Sequence, residues 1–61
     1  MQATIEEKSI THEVVQDRVA PADWRVEAID SKSGDVFVTI FCGPLAEERA
    51  REYAKFKQSI Y

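Results

Sequence analysis

Apolar and polar residues alternate along Trp24-Arg25-Val26-Glu27-Ala28-Ile29-Asp30, with Trp24, Val26 and Ala28 on one face and Arg25 and Glu27 on the other. A period of two is the signature of a half-buried strand. Ser31-Lys32-Ser33-Gly34-Asp35 then supplies turn residues, and Gly34 can take the positive φ that hairpin loops require. The return segment Val36-Phe37-Val38-Thr39-Ile40-Phe41-Cys42 alternates too, but both its faces are largely apolar. One carries Val36, Val38, Ile40 and Cys42, the other Phe37, Thr39 and Phe41. The pattern predicts a β-hairpin over 24–42 whose second strand needs cover on both sides.

After Cys42 the period lengthens. Gly43 is an acceptable N-cap and Pro44 suits the first position of a helix, where its missing N–H costs nothing. Leu45, Ala46, Ala50, Tyr53, Ala54, Phe56 and Ile60 share one face at 100° per residue. Glu47, Glu48, Arg51, Glu52, Lys55 and Gln58 take the other, which is expected to meet solvent. Acidic residues lead and Lys55 and Lys57 follow, as the helix dipole favours. A C-terminal helix over 44–59 is predicted, with Ala46, Ala50 and Ala54 allowing close approach to the sheet.

The segment before Ala22 is ambiguous. Ile10, Val14, Val15 and Val19 have helical spacing, whereas Ile10, His12 and Val14 alternate as in a strand. Its β-branched residues tip the balance to a strand over 10–16, with 1–9 frayed. Pro21 closes whatever precedes it. The fold class is therefore α+β, one domain over 1–61: a small antiparallel sheet, made of the hairpin and an N-terminal strand, covered by one helix.

Length changes this picture. A chain of 61 residues buries only about 60% of the surface its unfolded form exposes. Chains this small lean on disulfides, a structural metal or oligomerisation. Cys42 is the single cysteine and His12 the single histidine, so neither an internal disulfide nor a closed zinc site can form. Oligomerisation is the remaining helper. With the doubly apolar strand Val36–Phe41 it predicts an intertwined or swapped homodimer, in which the uncovered face meets the N-terminal segment or another subunit. Trp24, Val36, Phe37, Val38, Ile40 and Phe41 are the candidate interface.

Charge narrows the function classes. A net charge of −3 disfavours dedicated nucleic-acid binding, which needs clustered Lys and Arg. Arg49, Arg51, Lys55 and Lys57 give the helix some basic character, but Glu47, Glu48 and Glu52 interleave with them. No apolar run approaches the length of a membrane span, and the first residues lack the pattern of a signal peptide. With the lone thiol, this points to the cytoplasm.

Candidate chemistry is sparse. Cys42-Gly43-Pro44 joins a strand to a helix, where the dipole would lower a thiol's pKa. The order resembles the redox site of thioredoxins, but Leu45 stands where a resolving cysteine would be needed. Cys42 is kept as a candidate reactive thiol against the alternative of a small, mostly buried strand end. His12 lacks a paired nucleophile. Glu27, Asp30 and Asp35 cluster at the hairpin, but Lys32 occupies a would-be calcium-ligand position, so turn chemistry accounts for them. No cofactor or metal is expected.

Trp24-x-Val26-Glu27-Ala28-Ile29-Asp30, followed by Phe41-x-Gly43-Pro44-x-Ala46-Glu47-x-Arg49-Ala50-x-Glu52-Tyr53-Ala54, resembles a group of small uncharacterised bacterial proteins. The resemblance covers the C-terminal two-thirds of the chain. It implies a strand–turn–strand–helix layout and a bacterial source, and it carries no activity or site residue. The expected function is a non-enzymatic interaction module or accessory subunit acting as a homodimer. The alternatives are a nucleic-acid-associated regulator using the basic helix residues, and a thiol-dependent redox or sensing role for Cys42.

Overall fold

The computed structural model describes residues 9–60. The element order is β1 (Ile10–Gln16), β2 (Trp24–Asp30), β3 (Val36–Phe41) and α1 (Ala46–Ile60). The strands form one antiparallel sheet in the order β1-β2-β3, and α1 lies across one face of it: the α+β arrangement that the patterning predicts. The ambiguous N-terminal segment is a strand, not a helix. The fraying expected over 1–9 falls, apart from Ser9, outside the described residues.

Local chemistry accounts for the turns. Asp17 ends β1 by accepting the amides of Val19 and Ala20, each at 2.8 Å. In the hairpin, the Gly34 amide donates to the Asp30 carbonyl at 2.8 Å, and the Asp30 amide to the Asp35 carbonyl at 2.9 Å. Gly34 closes this loop at φ 81°, a conformation that a Cβ disfavours.

The helix begins later than the sequence pattern suggested. Ala46 donates to the Gly43 carbonyl at 3.1 Å, which makes 43–46 a turn, and the Leu45 carbonyl accepts from Arg49 at 2.9 Å as the first helical bond. Leu45, not Gly43, thus holds the cap position, and Gly43 instead supplies the turn with φ 92°. Pro44 follows as a natural second turn residue.

The core is thin. Val26, Ala46, Ala50 and Ala54 are buried, and Val26, at 1% exposure, is the one large side chain fully enclosed among the described residues. Val14, Trp24, Phe41 and Tyr53 pack around Val26, Ala50 and Ala54. The alanine stripe brings the helix down onto the strands, as its spacing implied. Three members of the predicted apolar face do not follow it: Leu45, Phe56 and Ile60 are 49%, 59% and 56% exposed. The sheet contacts a narrow strip of α1 centred on Ala50, and these residues lie on its flank.

Candidate interaction surface

Cross-strand pairing sorts the candidate interface residues onto the two faces. Trp24 pairs with Phe41, Val26 with Thr39 and Ala28 with Phe37, all on the face below α1. Trp24 and Phe41 are half-buried there. Phe41 packs against Tyr53 with ring centroids 5.5 Å apart, and the Arg51 guanidinium lies 5.5 Å from the Trp24 ring centroid. The structure thus uses these two aromatics in the helix–sheet contact rather than presenting them outward.

The other four candidates are exposed: Val36 at 56%, Phe37 at 58%, Val38 at 51% and Ile40 at 63%. Val36, Val38 and Ile40 line the open face, where they pair with Ile29, Glu27 and Arg25. Either the N-terminal segment or a subunit was expected over this face. Strand β1 does not cover it; β1 pairs edge to edge with β2 on the far side of the sheet, where the backbone ladder gains more than a face contact would. Residues 1–8 lie outside the described part.

On the rest of the open face Arg25, Glu27 and Glu13 stand among Thr11, Val15 and Ile29. Arg25 bonds Glu27 at 2.8 Å and reaches Asp17 at 3.7 Å, while Glu13 sits opposite Glu27. The most exposed apolar side chains of the sheet therefore run along β3, while the β1 and β2 side is mixed, with half-buried Val15 and Ile29 among its charges.

The two free edges of the sheet differ. In an antiparallel ladder, successive residues direct their N–H and C=O groups to alternate sides. On β1 the outward groups include the His12 amide, which donates to Gln58 Oε1 at 3.0 Å, and the Ile10 carbonyl, which accepts from Gln58 Nε2 at 3.3 Å. Gln58 therefore caps part of this edge from the helix. It is half-buried, not on the solvent face where helical spacing had placed it, because α1 crosses the sheet with this side over β1. Spacing cannot show that crossing, so no signal for this role is legible in the residue pattern. The β3 edge has no such cap among the described residues.

A cavity of about 110 Å³ opens between sheet and helix, lined in part by His12, Val26, Phe37, Thr39, Tyr53 and Lys57. Thr39 Oγ1 lies 3.4 Å from the Tyr53 hydroxyl, and Lys57 Nζ is 5.5 Å from the Tyr53 ring centroid. The space suits a few waters and falls well below the several hundred Å3 typical of cofactor sites. His12 Nδ1 lies 3.0 Å from Gln58 Oε1, a contact that fixes the ring against the helix.

Cys42 is exposed, which corrects the expectation of a mostly buried strand end: β3 stops at Phe41, and the chain turns outward at Gly43. The later helix start also separates the thiol from the first turn of α1, where a dipole effect is strongest. At the hairpin, the Asp30 carboxylate accepts the amides of Lys32 and Ser33 at 2.9 and 3.4 Å. These bonds, led by that from Lys32, hold its pKa below the ordinary carboxylate value. Among the described residues no group of three or more His, Cys, Asp or Glu is arranged to hold a metal. No helix there is long and apolar enough to cross a membrane.

The chain matches no family model, no curated protein and no solved structure.

Proposed function

We propose that this chain is a non-enzymatic interaction module or accessory subunit that acts as a homodimer, in the cytoplasm. The observation that carries the proposal is the exposed apolar strand β3, with Val36, Phe37, Val38 and Ile40 each more than half open to solvent. Val36, Val38 and Ile40 form an apolar row on the open face and Phe37 lies on the other, and exposed apolar clusters mark interaction sites. The thin core supports the same reading, since four buried apolar side chains among the described residues give a small domain little reserve. Arg51 is engaged by Glu47 at 2.9 Å and by Trp24, which leaves the helix with less basic surface for a nucleic-acid role.

Sedimentation equilibrium over a dilution series tests the proposal. A reversible monomer–dimer equilibrium is the expected result. A folded monomer that persists to the highest concentrations would overturn it.

A further inference from the structure

Hydrogen bonding in the hairpin fixes which backbone groups of β3 are free. The Asp30–Asp35 bond makes that pair a hydrogen-bonded one. The register then runs Ile29–Val36, Ala28–Phe37, Glu27–Val38, Val26–Thr39, Arg25–Ile40 and Trp24–Phe41. Alternation assigns the bonds between β2 and β3 to Phe37, Thr39 and Phe41. Val36, Val38 and Ile40 therefore direct their N–H and C=O groups to the free edge. The same three residues carry the exposed apolar side chains of the open face.

Natural sheets protect free edges with Lys, Pro, inward charges, bulges or covering segments. The β1 edge has Glu13 along it and Gln58 over it. From Val36 to Cys42 there is no charge and no proline, and no described residue covers the edge. An edge so undefended is the surface a protein keeps for another strand.

We propose that a second copy of this chain pairs antiparallel along the β3 edge, with the two-fold axis at Val38, to make a continuous six-stranded sheet. This deepens the homodimer reading above and rests on it. A symmetric antiparallel pair that bonds through even-numbered residues has its axis on a residue. Placing that axis at Val38 matches all three outward residues among themselves: Val38 with Val38 of the partner subunit, and Val36 with Ile40 of the partner subunit. An axis one residue later would pair Val36 with Cys42 of the partner subunit, beyond the end of the strand.

The rest of the exposed apolar surface fits this arrangement. A two-fold axis normal to the sheet keeps both helices on one face. Tyr53 bonds Thr39, which places that side of α1 above β3. Helical spacing puts Phe56 on the Tyr53 side of α1, where it is 59% exposed. Edge pairing brings Val36, Val38 and Ile40, each more than half exposed, beside the same residues of the partner subunit. Stacking the open faces instead would bury Arg25, Glu27 and Glu13, with two carboxylates already opposed, at a heavy desolvation cost.

Amide hydrogen exchange on the full chain, at concentrations above and below the dimer dissociation constant, tests the edge. The amides of Val36, Val38 and Ile40 should be protected in the dimer and open on dilution, while Phe37, Thr39 and Phe41 stay protected throughout. A dimer in which Val36, Val38 and Ile40 exchange freely would overturn the edge pairing and leave the homodimer intact. A monomer at every concentration would overturn both. Val38→Lys and Val38→Pro should each raise the dissociation constant by about tenfold or more, and neither removes a bond to β2. Retained near-UV circular dichroism checks that each variant is folded. An unchanged dissociation constant in a folded variant counts against the edge.

Discussion

Val26→Ala is the sharpest test of where the stability of this domain resides. Val26 is 1% exposed, in the middle strand, with Val14 and Thr39 as its cross-strand neighbours. It packs with Ala50 and Ala54 of the helix. Truncation removes two buried methyl groups, worth about 1.6 kcal/mol at ~0.8 kcal/mol each. The alanines above cannot extend to refill the space, so a cavity contribution brings the loss to about 2–3 kcal/mol. A domain of this length holds only about 3–9 kcal/mol in all. The melting temperature should therefore fall by roughly 10–20 °C. Urea unfolding followed by circular dichroism, at the lowest working concentration so that monomer dominates, gives the measurement. Val36→Ala is the control, because it deletes the same atoms at a site 56% exposed. Its cost to the monomer should stay within about 0.5 kcal/mol. Equal losses for the two variants would refute the assignment of the core to the helix-covered face.

Three further outcomes are expected. Gln58→Ala should remove the cap from the His12 amide and the Ile10 carbonyl, costing about 0.5–1.5 kcal/mol per lost bond and speeding exchange at His12; unchanged exchange there would show that the cap is not formed. Gly34→Ala should cost about 1–2 kcal/mol, because its φ of 81° is disfavoured once a Cβ is present, and Gly34→Asn should cost less; equal stability of all three chains in urea unfolding would count against the turn. The last concerns acid. Backbone amides of Ala20 and Val19, with help from Arg25, hold Asp17 below its ordinary value of 3.8. The Lys32 amide first, then Ser33, does the same for Asp30. A lowered folded-state pKa contributes stability that is present above the unfolded value and lost as pH falls through the folded one. The melting temperature should thus drop below about pH 4, with a shallower slope in Asp17→Asn and Asp30→Asn. An unaltered slope in both variants would remove these turns as its source.

Much of the secondary structure is legible without coordinates. The alternation in 24–30, the turn residues around Gly34 and the alanine stripe of α1 each act within a few residues, so period and composition carry them. The strand at 10–16 is legible for the same reason, through its β-branched residues. The two apolar faces of β3 could also be read, because a period-two pattern reports both sides of a strand at once.

Other features depend on contacts between residues distant in sequence. Trp24 and Phe41 belong to the helix contact, and Gln58 to the β1 edge, because α1 crosses the sheet along one line that spacing alone cannot set. Leu45, Phe56 and Ile60 look like core by period, yet a helix resting on small alanines touches the sheet along a strip too narrow to include them. Likewise, the sequence shows that β3 wants cover on both sides but not which side is left open. Strand order decides that: β1 joins the far side of β2, leaving the backbone groups of Val36, Val38 and Ile40 without a neighbouring strand among the described residues. Local propensity determines what each segment becomes, while the pairing of segments determines which surface is left to meet another molecule.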